Sequence, residues 1–198
     1  MRARHLVLTA TLVAGLFAAR PAAAGHHLWD FTQAFSNNDG SIQFVELFTS
    51  DNSESGVGAF GITQGANSFS FVTNLSSPIT AHTWILVATP GFGTLPGGVT
   101  PDYILPAHFL NTAGGTLNYA GGVDVWAYPA LSTNGHTATL RNGTQAENAP
   151  HNFAGAVGHV DLTSAPGLPR WGLILLVGAM LLVGSGLIRR REVLQNLA

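Results

Sequence analysis

Four residues, Asn37, Asp39, Gly40 and Glu46, have the spacing of the later part of a calcium-binding loop. The side-chain oxygens of Asn37, Asp39 and Glu46 would surround a hard cation, and Gly40 would make the turn. Phe35 occupies the first ligand position, however, and its side chain has no oxygen. The flanking residues have strand character, and Asn-Asp-Gly is also a strong signal for a tight hairpin turn. The turn is therefore the favoured interpretation, with a calcium site as the alternative.

A second metal-binding pattern would be created by cleavage of the chain after Ala24, which would leave Gly25-His26-His27 as a free terminus. The terminal amine, two deprotonated amides and the imidazole of His27 can form a square-planar site of the kind preferred by Cu(II) or Ni(II). An ordinary pair of solvated histidines is the favoured interpretation, with a copper or nickel site at Gly25, His26 and His27 as the alternative.

The sequence offers little for catalysis. It has no Cys and no G-x-S-x-G pattern, which removes cysteine nucleophiles and the usual serine-hydrolase elbow. The segment Gly56–Gly61 spells G-x-G-x-x-G, but no helical pattern follows it, so it predicts no nucleotide site. A glycosidase-like pair of carboxylates would involve Asp102 or Asp124 first. A solvated acidic surface is the favoured interpretation, and we expect a protein that is not an enzyme and uses no cofactor.

Charge is distributed unevenly along the chain. Residues 25–169 contain nine acids and one base, Arg141, a net charge of −8 with neutral His. Nucleic-acid binding is excluded, because it depends on Lys and Arg contacts to phosphate. Glu46 lies in an apolar run and would need a partner if buried. Since Arg141 is the only Lys or Arg in this region, the sequence predicts a Glu46–Arg141 ion pair.

Both ends of the chain have the character of targeting segments. Residues 1–24 predict a secretory signal that signal peptidase cuts at the small residues Ala22 to Ala24. Residues 171–188 form an uncharged stretch of 18 residues, long enough for a transmembrane helix. The arginines 189–191 predict a cytoplasmic tail at 189–198, so the domain at 25–164 and the linker at 165–170 would lie outside the cytoplasmic membrane.

The C-terminal pattern consists of Pro169, Trp171-Gly172, an apolar span and the cluster Arg189, Arg190 and Arg191. It resembles the PEP-CTERM and IPTL-CTERM sorting signals of bacterial envelope proteins over residues 167–191. The resemblance implies recognition by a membrane protease of the exosortase type during export to the surface. The chain departs from those signals, because it lacks Pro-Glu-Pro and Ile-Pro-Thr-Leu and continues for seven residues after the arginines. A simple membrane anchor is the alternative.

Between the two ends, short apolar or alternating runs bounded by Gly, Pro, Asn and Ser predict an all-β domain with few helices. The predicted strands are Ile42–Thr49, Ser68–Val72, Thr83–Thr89, Thr116–Tyr119, Val123–Tyr128 and Thr137–Arg141. Pro90–Pro106 is expected to be a long ordered loop, and Ala146–Pro169 a loop that passes into a stalk. Phe44, Val45, Glu46 and Leu47 resemble the early strand of lamin-tail-like domains. That resemblance implies an immunoglobulin-like antiparallel sandwich.

These features together predict a non-catalytic exported envelope protein with an adhesion or scaffold role at the cell surface or in the extracellular matrix. The alternative is a carbohydrate-binding module that binds extracellular polysaccharide, and a secreted hydrolase is a weaker one. In a carbohydrate-binding module, exposed rings would stack on sugars, and the candidates are Trp84, Tyr103, Trp126 and Tyr128. Packing of these rings in the core is the favoured interpretation.

Overall fold

Runs of β-branched and aromatic residues form ten short strands in the computed structural model, which describes residues 25–163. The strands are β1 (Asp30–Ser36), β2 (Gln43–Thr49), β3 (Gly61–Gln64), β4 (Asn67–Ser70), β5 (Thr83–Ala88), β6 (Tyr103–Ile104), β7 (Gly115–Tyr119), β8 (Asp124–Tyr128), β9 (Thr137–Leu140) and β10 (Gln145–Glu147). Two single 3₁₀ turns, Val57–Ala59 and Phe92–Thr94, are the only helical elements among the described residues. The predicted all-β class is confirmed.

Several sequence predictions concern residues outside this range. They are the signal segment with Ala22 and Ala24, the linker, the apolar span, and the sorting-signal residues Pro169, Trp171, Gly172, Arg189, Arg190 and Arg191. Within residues 25–163, no helix has the length and apolar character needed to span a membrane.

The strands form two sheets. One has six strands in the order β10-β9-β1-β2-β5-β6, and the other has four in the order β4-β3-β7-β8. Neighbouring strands pair antiparallel except β5 and β6, which pair parallel over two residues. The arrangement is that of a β-sandwich.

The main core lies between the sheets. In β2 the alternating residues Val45 and Leu47 are fully buried, and they share one apolar cluster with Ile62 of β3, Leu117 of β7 and Trp126 of β8. A period of two residues places such side chains on one face of a strand. Residues of both sheets therefore pack against each other through their inner faces.

The outer face of the six-stranded sheet is also covered. Phe44 of β2 is fully buried and stacks on Phe35 at a centroid distance of 5.3 Å, with Phe92 packed at its edge at 5.3 Å. Residues 148–160, which we call the covering segment, lie on this face. Asn148 fixes its two ends, since its side chain bonds to the main-chain oxygen and nitrogen of Val160 at 2.6 and 2.9 Å. This part of the chain is irregular, as expected, but it packs on the sheet and does not form a stalk.

The single arginine of the domain links the two sheets. Arg141, just after β9, donates two hydrogen bonds to Asp124 at the start of β8, at 2.9 and 2.7 Å. The Oδ2 atom of Asp124 also accepts the main-chain N–H of Phe31 in β1, at 2.8 Å. The predicted Glu46–Arg141 pair is therefore wrong. Glu46 lies on the outer face of β2, where its carboxylate accepts bonds from Thr32 and His151.

Replacing Arg141 by Met should lower the free energy of unfolding by about 2 kcal/mol, because Asp124 would remain 7% exposed without a cation. The value is below that of a fully buried pair, since the guanidinium is partly exposed. Urea unfolding followed by tryptophan fluorescence measures the change, with the exposed Glu147→Gln as control. Adding Asp124→Asn should recover part of the loss. An unchanged midpoint in Arg141→Met would contradict this role.

Candidate functional site

A cleft of about 200 Å³ opens beside β6. Residues 73–76, which follow β4 after a short connection, form one side of it, and Asp102, Tyr103 and Phe153 complete the lining. Tyr103 is largely buried, and its hydroxyl donates to the main-chain oxygen of Thr73 at 2.9 Å. The strand, the loop after β4 and the covering segment therefore meet at this point.

Asp102 occupies its position because it extends the short pairing between β5 and β6. Its main-chain nitrogen donates to Leu86 at 2.9 Å, and its Oδ2 atom accepts the N–H of Leu86 at 2.8 Å. The same carboxylate accepts the N–H of Phe153, at 2.9 Å from Oδ2. Burial raises the pKa of Asp102 above its ordinary value, while the bonds from the amides of Leu86 and Phe153 act in the opposite direction. The carboxyl group thus fastens the covering segment while it lines the cleft.

The cleft offers hydrogen-bonding groups and one aromatic ring. Asn74 is held in place because its Oδ1 atom accepts the N–H of Gly58 at 2.8 Å. A side chain at Gly58 would collide with the backbone of Thr73 and Asn74, so only glycine allows this approach. With Phe153 half-buried on the other side, the arrangement suits a small polar ligand with one apolar face. Its volume is below the roughly 300–1,000 Å³ of most pockets for larger ligands.

No protein-family model, curated protein or solved structure matches this chain. Asp102 and Tyr103 were already candidates from the sequence, whereas Asn74, Ser76 and Phe153 were not. The polar, turn-rich sequence of residues 73–78 was a usable signal, since binding residues concentrate in loops. Phe153 gave none, because it lies in a segment that was expected to be a loop leading into a stalk.

The predicted calcium ligands are divided between two places. Asp39 accepts the amide and hydroxyl of Ser41 at 3.0 and 2.6 Å, and these bonds lower the pKa of Asp39. Asn37 accepts the N–H of Ile42 at 3.0 Å, and Gly40 has a positive φ of 72°. These contacts build the β1–β2 hairpin turn, whereas Glu46 lies farther along β2 with His151. In residues 25–163 no group of three or more His, Asp or Glu side chains is placed to hold a metal ion.

The residues of the predicted copper or nickel site lie together beside the sandwich. Gly25 donates its N–H to Ser53 and accepts the N–H of Gly56. The His26 ring stacks on the ring of Phe60. The centroid of the His27 ring lies 3.7 Å from that of His26. Burial, and then the neighbouring His27, lower the pKa of His26. Residue 24, where the predicted cleavage would occur, is outside the described residues.

The aromatic candidates for sugar stacking are mostly core residues. Tyr103, Trp126 and Tyr128 are 7%, 3% and 4% exposed and belong to the main core, as favoured, so the alternative of exposed stacking rings is wrong for these three. Trp84 lies on the outer face, but the His151 ring covers it at 4.5 Å with an interplanar angle of 18°. Phe153 of the cleft, which is half-buried, is the ring beside hydrogen-bonding groups on which a ligand could stack.

The raised pKa of Asp102 predicts a specific pH dependence. In the folded protein the carboxyl group of Asp102 stays protonated to a pH above its ordinary pKa of 3.8. The stability that Asp102 contributes therefore falls as pH rises from 3.8 through the raised pKa. The stability of the wild type relative to Asp102→Asn should therefore decrease over that range. Urea midpoints measured at several pH values test this.

Asp39→Asn is the matched control with the opposite sign. Since the pKa of Asp39 is lowered, the stability it contributes is lost as pH falls. The wild type should therefore gain stability relative to Asp39→Asn as pH rises through the acid range. A parallel pH course for wild type and Asp102→Asn would contradict the role assigned to Asp102.

Proposed function

We propose that this chain is a non-catalytic exported module with an adhesion or scaffold role, displayed at the cell surface or in the extracellular matrix. In this proposal its sandwich is of the immunoglobulin-like, lamin-tail-like type. The first 24 residues direct export, and the segment from Pro169 to Arg191 serves as a sorting signal for an exosortase-type protease.

The proposal of a non-catalytic protein rests on one observation, namely that buried carboxylates are engaged in structural hydrogen bonds. Acid–base catalysis needs a carboxyl group that is free to exchange a proton with substrate. Asp124 instead binds Phe31 and Arg141, and Glu46 binds Thr32 and His151. Asp102, the one acid among the cleft residues, is bonded to two main-chain amides. These three acids therefore stabilise the fold, and their bonds do not leave them free to act as an acid–base pair on a glycosidic bond.

The covering segment supports the scaffold part of the proposal. It leads toward the C-terminal region that would carry the membrane or surface attachment. Before that point it is fastened to the sheet through Gln33, whose amide donates to Ala149 at 2.9 Å, and through Glu46 and Asp102. A tether that begins after Val160 would pass mechanical load to the six-stranded sheet through these bonds.

Intact mass spectrometry on native protein from membrane, envelope and medium fractions tests the proposal. Loss of both ends, with cuts near Ala24 and upstream of Trp171, is the expected result in the envelope or medium fraction. A chain that keeps Trp171 to Ala198 in every fraction would make it a simple membrane-anchored protein and overturn the sorting step.

A carbohydrate-binding role is the second candidate, and the cleft favours it. Phe153 offers a ring face, and Asn74, Ser76 and Asp102 offer hydrogen-bonding groups around a volume suited to one sugar unit. Such a site would bind a terminal or branching sugar of an extracellular polysaccharide, because the cleft is too small to hold a long chain.

Phe153→Ala should weaken binding of oligosaccharides from the producing cell's own matrix by about tenfold, because the stacking face is lost. Titration calorimetry gives the dissociation constants. Val157→Ala is the matched control, since Val157 is an exposed residue of the same segment. Equal affinities for wild type and Phe153→Ala would remove the cleft as the binding site.

A further inference from the structure

Glu54 is a buried carboxylate with no Lys or Arg of the described residues as partner, and the nearby His26, on which its charge acts, has a pKa that burial and then His27 lower. The residue is 7% exposed, and its carboxylate accepts the N–H of Leu28 at a long 3.3 Å. The only Lys or Arg of residues 25–163, Arg141, is bound to Asp124. A buried charge of this kind is costly unless a cation or several hydrogen bonds compensate it. Glu54 therefore calls for a positive charge from another source.

The carboxylate of Glu54 lies directly against Gly25. A Cβ atom added at Gly25 would have all three carboxyl atoms of Glu54 within 3.0 Å, so a larger residue would collide with them. The main-chain nitrogen of Gly25 is about 2.5 Å from that Cβ position by standard geometry. It therefore lies within roughly 5 Å of the nearest Glu54 oxygen. The same nitrogen donates to the main-chain oxygen of Ser53, which holds it beside the carboxylate.

We propose that Glu54 binds the α-ammonium group that signal peptidase creates at Gly25 by cutting after Ala24. Two independent observations agree on this residue. The small residues Ala22 to Ala24 place the cleavage site there from sequence, and the structure places a buried carboxylate beside that nitrogen. An ammonium group has three donors, so one remains bonded to Ser53 while another binds Glu54.

The inference extends the proposed export by linking processing to stability. Before cleavage the nitrogen of Gly25 is a neutral amide with one donor, and Glu54 is left without a cation. After cleavage the new charge pairs with Glu54 and fastens the N-terminal segment to the sandwich.

The absence of Lys permits a direct experiment. In a chain from Gly25 to Ala198, the α-amine is the only primary amine, so an amine-reactive ester labels that group alone. The chain is prepared in detergent from a fusion whose removal leaves Gly25 first. Intact mass spectrometry then follows the labelling rate in the folded protein and in urea. We expect labelling at least about tenfold slower in the folded protein, as befits an amine held in a partly buried ion pair.

Glu54→Gln should abolish most of this protection, whereas the exposed Glu147→Gln should keep it. Where Glu54→Gln does not fold, Glu54→Asp replaces it, since a shorter acid draws the carboxylate away and should give an intermediate rate. Equal rates for folded and unfolded wild type, or full protection in Glu54→Gln, would overturn the ion pair.

The cleavage step is tested separately on the native protein. A mature mass that begins at Gly25 supports the inference, and one that begins at another residue overturns it. Because the labelling experiment starts from a preformed Gly25 terminus, failure of the ion pair and failure of export give different results.

Discussion

Hydrogen bonds from backbone N–H groups to buried carboxylates hold this domain together. With nine acids and a single arginine between residues 25 and 169, the domain cannot pair most of its acids with Lys or Arg. Amide bonds to a carboxylate favour its charged form and offset part of the cost of burial, although at Asp102 burial is the larger effect and raises the pKa. Asp102, Asp124 and Glu46 all accept at least one main-chain N–H from a distant segment. Each bond of this kind contributes about 1.5–3 kcal/mol to the free energy of unfolding. Together they are a large part of the roughly 5–15 kcal/mol that is typical of a folded domain.

These bonds also determine which parts of the chain can meet. Phe31 and Asp124 are 93 residues apart, and Glu46 and His151 are 105 residues apart. Such contacts require most of the chain to be in place, because closing long loops costs entropy before the contacts form. The position of the covering segment, bonded to Glu46 and Asp102, therefore depends on β2 and on the bonds of Asp102 to β5. The cleft, which needs Phe153 of that segment, depends on the same bonds.

Much of the sandwich could be predicted from the sequence, because alternation and turn residues report on local structure. The predicted run Thr83–Thr89 corresponds to β5 and Val123–Tyr128 to β8. The first strand, β1, was missed. Most positions of β1 are buried, and the strand contains a bulge between Phe31 and Gln33. Its sequence therefore shows no simple alternation of apolar and polar residues.

The candidate site was harder to predict, because it depends on which face of a sheet each residue occupies. Glu46 and Arg141 were expected to pair as a buried acid and the sole base. Glu46 instead faces the covering segment. The composition of that segment indicated a loop, but it did not indicate that the loop packs on the outer face of the six-stranded sheet. Asp102 and Tyr103 could be named from the sequence, but their partner Phe153 could not.

The position of the one arginine follows from the same shortage of positive charge. Burial raises the pKa of Asp30, and the negative charge of the nearby Asp124 raises it further. The positive charge of Arg141 acts in the opposite direction. Two neighbouring carboxylates repel each other, and amide bonds to one of them do not remove that repulsion. A full positive charge is needed at this edge, and Arg141 supplies it between the two sheets. Elsewhere an acid with good amide donors needs no cation. That argument fails for Glu54, because its carboxylate accepts only the long bond from Leu28. The terminal amine proposed at Gly25 would give the domain its second positive charge.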